Sequence, residues 1–221
     1  MSKYAYITKS RNYFYGLQFT TRHNGKMKGI VSLSTSVTIN PICIERRKDP
    51  NSICSKCFAA AQMKVYKQMN ESYTRNFEIL NAEELPEMPR VDIEGVELLR
   101  GEAFGDYASK YAVLNLFNWC KANPEKKVAA WTKNLHFFAE AIKEQPKPEN
   151  LNVVFSSKYL NKPAEVPTFA AGFVDRVFTV YDKEHAQSID INCGARSCNT
   201  CRKCYNKTGE YFYINELLKY I

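Results

Sequence analysis

Residues 96–134 read VELLRGEAFGDYASKYAVLNLFNWCKANPEKKVAAWTKN, and the alternation within this stretch sets the fold class. Val96–Leu99 is a short apolar run of strand character that ends on a polar loop with Arg100, Gly101, Glu102 and Gly105-Asp106. A helical pattern follows around Ala108–Lys121 and closes before Pro124. Val128–Trp131 is a second apolar run, and it too ends on polar residues, Thr132, Lys133 and Asn134. Strand, helix, strand in this order is a unit whose two strands lie parallel with the helix as crossover.

The same order extends in both directions. Upstream, GIVSL (Gly29–Leu33) leads to Ser34, Thr35 and then Cys43, in a polar loop that Pro41 and Pro50 keep non-helical. A long helical pattern runs from about Cys54 to Leu80, with Phe58, Val65, Met69, Tyr73, Phe77 and Leu80 spaced as one buried face. Downstream come a helix at Leu135–Lys143 and a strand at Leu151–Phe155 leading to Ser156, Ser157 and Lys158. A short turn or helix near Phe169 and a strand at Val177–Tyr181 leading to Asp182 complete the series. Ile214–Ile221 reads as a small docking helix, and Tyr13, Phe14, Tyr15 and Phe19 around Gly16 as an aromatic hairpin. Five such strands are too few for a closed eightfold barrel. The expected class is α/β, a partial (open) βα barrel of mainly parallel strands with Cys-rich loops at the C-terminal strand ends. No linker divides the chain, so one domain is expected over 1–221: aromatic strands in 1–30, a βα core in 30–182, and a Cys-rich segment with a helix in 183–221.

Composition narrows the function classes. The 221 residues are 45% hydrophobic and 24% charged, an ordinary globular mix. No run of about 18 apolar residues exists, which excludes a spanning helix. The opening MSKYAYITKS lacks the apolar core of a secretory signal, so a cytoplasmic protein is expected. A formal charge of +8 fits a nucleic-acid partner or the compensation of a bound anionic group, but the basic residues are scattered.

Seven of the eight cysteines form two groups. In a reducing compartment, grouped thiols are metal ligands more often than disulfides. The later group is Cys193-x4-Cys198-x2-Cys201-x2-Cys204. Closely spaced thiols of this kind resemble the run that binds [4Fe–4S] clusters in bacterial ferredoxins. Structural zinc more often uses two separated C-x2-C knuckles, and zinc is the alternative metal. The earlier group is Cys43-x10-Cys54-x2-Cys57. Cys54 and Cys57 fall at a helix start, where free N–H groups favour an anionic centre. Either these three hold a centre of their own with one corner open, or one of them completes the later site, so one cluster or two are expected. Cys120, on a helix beside Trp119 and Phe117, reads as a buried thiol.

In parallel α/β folds the carboxyl ends of the strands share one face, and sites are built there. One pocket is therefore expected from Gly101, Glu102, Asp106, Thr132, Lys133, Asn134, Ser156 and Ser157, flanked by both cysteine groups. Lys133 suits an anionic substrate or phosphate, and Glu102 and Asp106 suit ligand contact or acid–base work. No catalytic residue is assigned. The three histidines, His23, His136 and His185, are far apart in the chain and form no metal pair.

Cys54-Ser-Lys-Cys57-Phe-Ala, Arg75-Asn76, Gly105-Asp106-Tyr107, Trp131-Thr132-Lys133-Asn134, Pro148-Glu-Asn-Leu151 and Ser156-Ser157 resemble the phage "gene product 88" domain family over most of 30–180. That resemblance implies a phage-encoded protein of the host cytoplasm. The layout is more distantly similar to radical S-adenosylmethionine enzymes, which pair a partial βα barrel with a three-cysteine [4Fe–4S] site and a Gly-Glu motif after the second strand. Here Gly101-Glu102 takes that place, which implies contact with S-adenosylmethionine. The spacing departs, C-x10-C-x2-C against the superfamily's C-x3-C-x2-C. The expected function is an iron–sulfur cluster-binding phage-type protein with radical-enzyme character. The alternative is a non-enzymatic basic module, stapled by zinc or a cluster, that binds a host protein or nucleic acid; no membrane partner is expected.

Overall fold

The computed structural model describes residues 6–207 and 211–218. In chain order the first elements are β1 (Tyr6–Ile7), β2 (Tyr13–Phe14), β3 (Leu17–Thr20) and β4 (Ile30–Leu33). Three helices follow, α1 (Pro41–Lys48), α2 (Phe58–Val65) and α3 (Lys67–Ala82). Next come β5 (Arg90–Val91), β6 (Leu98–Gly101), α4 (Lys110–Ala122), β7 (Lys127–Thr132), α5 (His136–Glu144) and β8 (Leu151–Ser156). The last are β9 (Arg176–Tyr181), the single turn α6 (Cys198–Cys201) and β10 (Tyr213–Leu217).

Eight strands form one sheet in the order β10-β9-β8-β7-β6-β4-β3-β2, and β1 pairs with β5 apart from it. From β4 to β10 every pairing is parallel; only the β2–β3–β4 edge is antiparallel. The fold is mixed α/β with a mostly parallel sheet. Strand order follows chain order from β4 to β10, with no reversal at which a doubly wound sheet would place its ligand.

Side chains alternate between faces along a strand, and here the two faces are covered very differently. Val31, Leu99, Val128, Ala130, Leu151 and Val153 point to one face, where Leu80, Val113, Phe117, Phe138 and Ala141 from α3, α4 and α5 complete the main core. Ile30, Leu98 and Ala129 point to the other. There the cover is no long helix but Tyr205, Met27, Cys198 and Cys204.

Three sequence expectations need correction. The loop after β4 holds a helix: Pro41 is the first residue of α1, where its missing N–H costs nothing, and Asn40 caps it by accepting from the Ile42 and Cys43 amides. The long helix after Cys54 is a 3₁₀ turn at Ile53–Lys56 followed by α2 and α3, which break at Tyr66, and of its expected buried face Phe58 and Val65 are exposed while Tyr73 and Leu80 are buried. The C-terminal helix is strand β10, paired in register with β9 from Tyr213↔Val177 to Leu217↔Tyr181; residues 219–221 of that expectation lie outside the described residues.

Candidate functional site

A cavity of about 530 Å³ opens on the face that lacks long helices. Its floor is built by inward-pointing strand residues, Arg100 on β6, Trp131 on β7, Ser156 on β8, Phe178 on β9, and Ile214 and Glu216 on β10, and Thr132 at the end of β7 joins its lining. Cys193, Cys198, Cys201 and Cys204 all line it. The segment carrying them is tied across the sheet by short polar links. Asn152 Nδ2 donates to the Cys204 carbonyl at 3.1 Å, Arg176 Nε donates to the Lys203 carbonyl at 3.3 Å, and the Cys193 amide donates to the Asn215 carbonyl at 3.0 Å.

Three of these thiols are shifted by burial and by their neighbours. Burial raises the Cys193, Cys198 and Cys204 thiols, the last to about 12, and the neighbouring cysteines add to each shift. Arg100 opposes it at Cys198 and Cys204, and Lys26 at Cys193 and Cys198. Lys26 donates to the Cys193 carbonyl at 3.1 Å and to its sulfur at 3.7 Å, and pairs with Glu216 at 3.0 Å. Among the described residues, no three His, Cys, Asp or Glu are grouped so as to hold one metal ion.

The earlier cysteines stand elsewhere. Cys43 and Cys57 pack with Val37, Ala60, Met63 and Tyr73 under Phe104, in a cluster of their own beyond the carboxyl ends of the strands. Burial raises the Cys43 thiol, and Asp106 and Glu102 add to the shift. Cys54 follows Ile53, which reaches the cavity wall and whose amide donates to the Lys158 carbonyl at 3.0 Å. Cys120 is fully buried in the main core.

Of the residues expected to share one pocket, Glu102, Asp106, Thr132, Lys133 and Ser156 line the cavity. Gly101, Asn134 and Ser157 do not. Gly101 faces the helical side, where an added Cβ would come within 2.3 Å of the Tyr107 hydroxyl. Asn134 Oδ1 accepts from the His136 amide at 3.3 Å, and Ser157 is spent on Thr179 at 3.0 Å and the Ala164 amide at 2.8 Å.

Asp106 is fully engaged: it pairs with Arg46 and accepts from Thr132 Oγ1 at 2.6 Å and from the amides of Tyr107 at 2.9 Å and Lys133 at 3.0 Å. Glu102 accepts from the Thr35 amide at 3.0 Å and the Thr35 hydroxyl at 2.8 Å. Both donors are neutral, so burial holds its carboxyl well above the usual range. Its φ of 51° places it in the left-handed region.

Sequence reasoning missed His23 and Trp131 as pocket residues, and named Arg100 only among the polar residues that end an apolar strand. His23 Nε2 lies 2.9 Å from Ser32 Oγ, and burial with Arg100 nearby lowers it to about 4, so the ring is neutral near pH 7. Arg100 stacks 3.9 Å over the Trp131 ring. A signal for Arg100 was present, since a charged residue ends an apolar strand. His23 carried none, because only the β3–β4 hairpin brings it to Ser32.

A mostly parallel sheet with a cysteine-lined cavity on its open face defines the class of protein. Residues 20–210 match the model of the gene product 88 family, a phage gene-product family, and the chain belongs to it. No curated protein and no solved structure matches the chain. The comparisons lend no support to the likeness to radical S-adenosylmethionine enzymes.

Proposed function

We propose that this is an iron–sulfur protein in which Cys193, Cys198, Cys201 and Cys204 hold a [4Fe–4S] cluster in the cavity on the open face of the sheet. One observation carries the reading: Cys193, Cys198, Cys201 and Cys204 all line one cavity, where burial raises the Cys193, Cys198 and Cys204 thiols and the neighbouring cysteines add to each shift. The donor set fits as well, since thiolates are the usual ligands of such clusters, and Lys26, 3.7 Å from the Cys193 sulfur, would offset part of their charge. When bound, the cluster supplies one-electron chemistry. The protein's own part is to expel the thiol protons on binding, shield the centre from water and place ligands beside it.

The monotone strand order and the one-sided long helices support an open βα barrel, with the cluster inside its curve. Reaction with S-adenosylmethionine has less behind it: the Glu102 carboxylate, expected to face that ligand, bonds Thr35 through both oxygens. Cys43, Cys54 and Cys57 remain a candidate second centre at the rim. The reducing host cytoplasm is the compartment that suits all these thiols.

The test is anaerobic purification, reconstitution with iron and sulfide, and metal analysis. A brown protein with about four irons per chain, lost in Cys198→Ser and Cys201→Ser but kept in Cys54→Ser, is expected. A colourless protein with stoichiometric zinc overturns the proposal.

A further inference from the structure

The charges lining the cavity do not balance among themselves. Its carboxylates are all engaged, Glu102 by Thr35, Asp106 by Arg46 and Glu216 by Lys26. Of the cations, Arg202 pairs with Glu97 at 2.6 Å, and Lys203 donates to the Asn192 carbonyl at 3.0 Å while lying 3.9 Å over the Tyr211 ring.

Two cations are left over. Lys133 donates to Ser156 Oγ at 2.9 Å and, among the described residues, forms no ion pair. Among the described residues, Arg100 donates from Nη1 to the Met27 sulfur alone, at 3.6 Å, and its Nε is buried with no acceptor. A buried donor without a partner costs free energy that a bound acceptor would recover. Stacking on Trp131 fixes the plane of the guanidinium, so its edge is presented as a rigid fork. A fork and a point-charge ammonium lining one cavity are suited to an oxyanion.

We propose that the cavity binds a small anionic molecule, with its carboxylate or phosphate group held between Arg100 and Lys133. The volume lies within the range of about 300–1,000 Å³ typical of small-molecule sites. The subsite shares the cavity with the cysteines but does not require the metal.

The experiment titrates pyrophosphate and succinate separately into the full-length protein at constant ionic strength, with chloride as the control, and follows the heat of binding. Iron is assayed on the same samples. One probe is expected to bind saturably at one site per chain, and which one identifies the oxyanion. Lys133→Gln and Arg100→Gln should each weaken it by about tenfold or more, and Lys133→Arg should keep it within about threefold, as the charge is retained. Heats no larger than those of chloride, or affinity unchanged in either glutamine variant, overturn the proposal. If a probe binds a protein that takes up no iron, the iron reading alone is lost; if iron is present and neither probe binds, the anion subsite alone is lost.

Discussion

Glu102 and Asp106 are two buried carboxylates in one loop, and their surroundings treat them oppositely. Asp106 has a cation and three further donors, so removing it strands Arg46, whose side chain is only 15% exposed. Asp106→Ala should cost about 3–5 kcal/mol in urea unfolding, the usual penalty for breaking a buried pair. Among the described residues, Glu102 has two neutral donors and no cation paired with it. Its folded pKa lies above the unfolded value, so the native state binds more protons and stability falls as pH rises above about 4.5. Glu102→Gln should flatten that fall and leave the variant at least as stable as wild type at neutral pH, read from denaturation midpoints across a pH series. Gly105 makes the turn between them possible. At a φ of 99° its added Cβ would meet Thr35 Oγ1 at 2.2 Å and the Thr35 carbonyl oxygen at 2.9 Å. Much of this was legible in the chain, because Glu102, Asp106, Thr132, Lys133 and Ser156 all follow apolar strands. Ser157 and Asn134 follow strands too and yet turn away, since alternation past a strand end depends on turns that the residue types do not specify.

Among the elements, α3 is joined to the sheet by one fully buried side chain. Asn76 Nδ2 donates to the carbonyls of Gln18 at 2.8 Å and Ser34 at 2.9 Å, and its Oδ1 accepts from the Gln18 amide at 2.8 Å. Asn76→Ala leaves three backbone groups unpaired and should cost about 3 kcal/mol or more by urea unfolding, at about 1–3 kcal/mol for each buried group. The cap of α1 works similarly, with Asn40 holding the Cys43 amide and donating to the Asp106 carbonyl at 2.7 Å. Asn40→Ala should cost about 1–2 kcal/mol. The order of strands and helices was readable because apolar runs and helical periodicity alternate cleanly from β4 to β9. Where reading failed, a local signal met a stronger tertiary one. Pro41 looked like a breaker but occupies the one helical position that favours it. The spacing of Phe58, Val65 and Met69 runs on through Tyr66, so the break between α2 and α3 leaves no trace in the periodicity. INELL has the residues of a helix and becomes β10 because β9 offers it an open ladder.

Across the molecule, the two faces of the sheet differ in what holds them shut. Long helices seal one with a continuous core, while the other relies on a small apolar group and on the cysteine-bearing segment. A metal centre in that segment would act as its staple. Stripping the metal with a chelator should therefore expose residues 183–207 to proteolysis while a fragment ending near Tyr181 survives, as seen by mass spectrometry of the digest. Equal cleavage with and without metal would show that the segment holds its place unaided. The same segment also shields the margin of the sheet. On the outward side of β10, Asn192 Nδ2 donates to the Tyr213 carbonyl, Asn192 Oδ1 accepts from the Asn215 amide, and the Cys193 amide donates to the Asn215 carbonyl, each at 3.0 Å. Those are the groups through which a foreign strand would otherwise attach. If the proposed cluster is held through Cys193, air oxidation that frees this thiol would do more than bleach a chromophore: it would bare a sticky seam, and turbidity in light scattering should rise as colour fades.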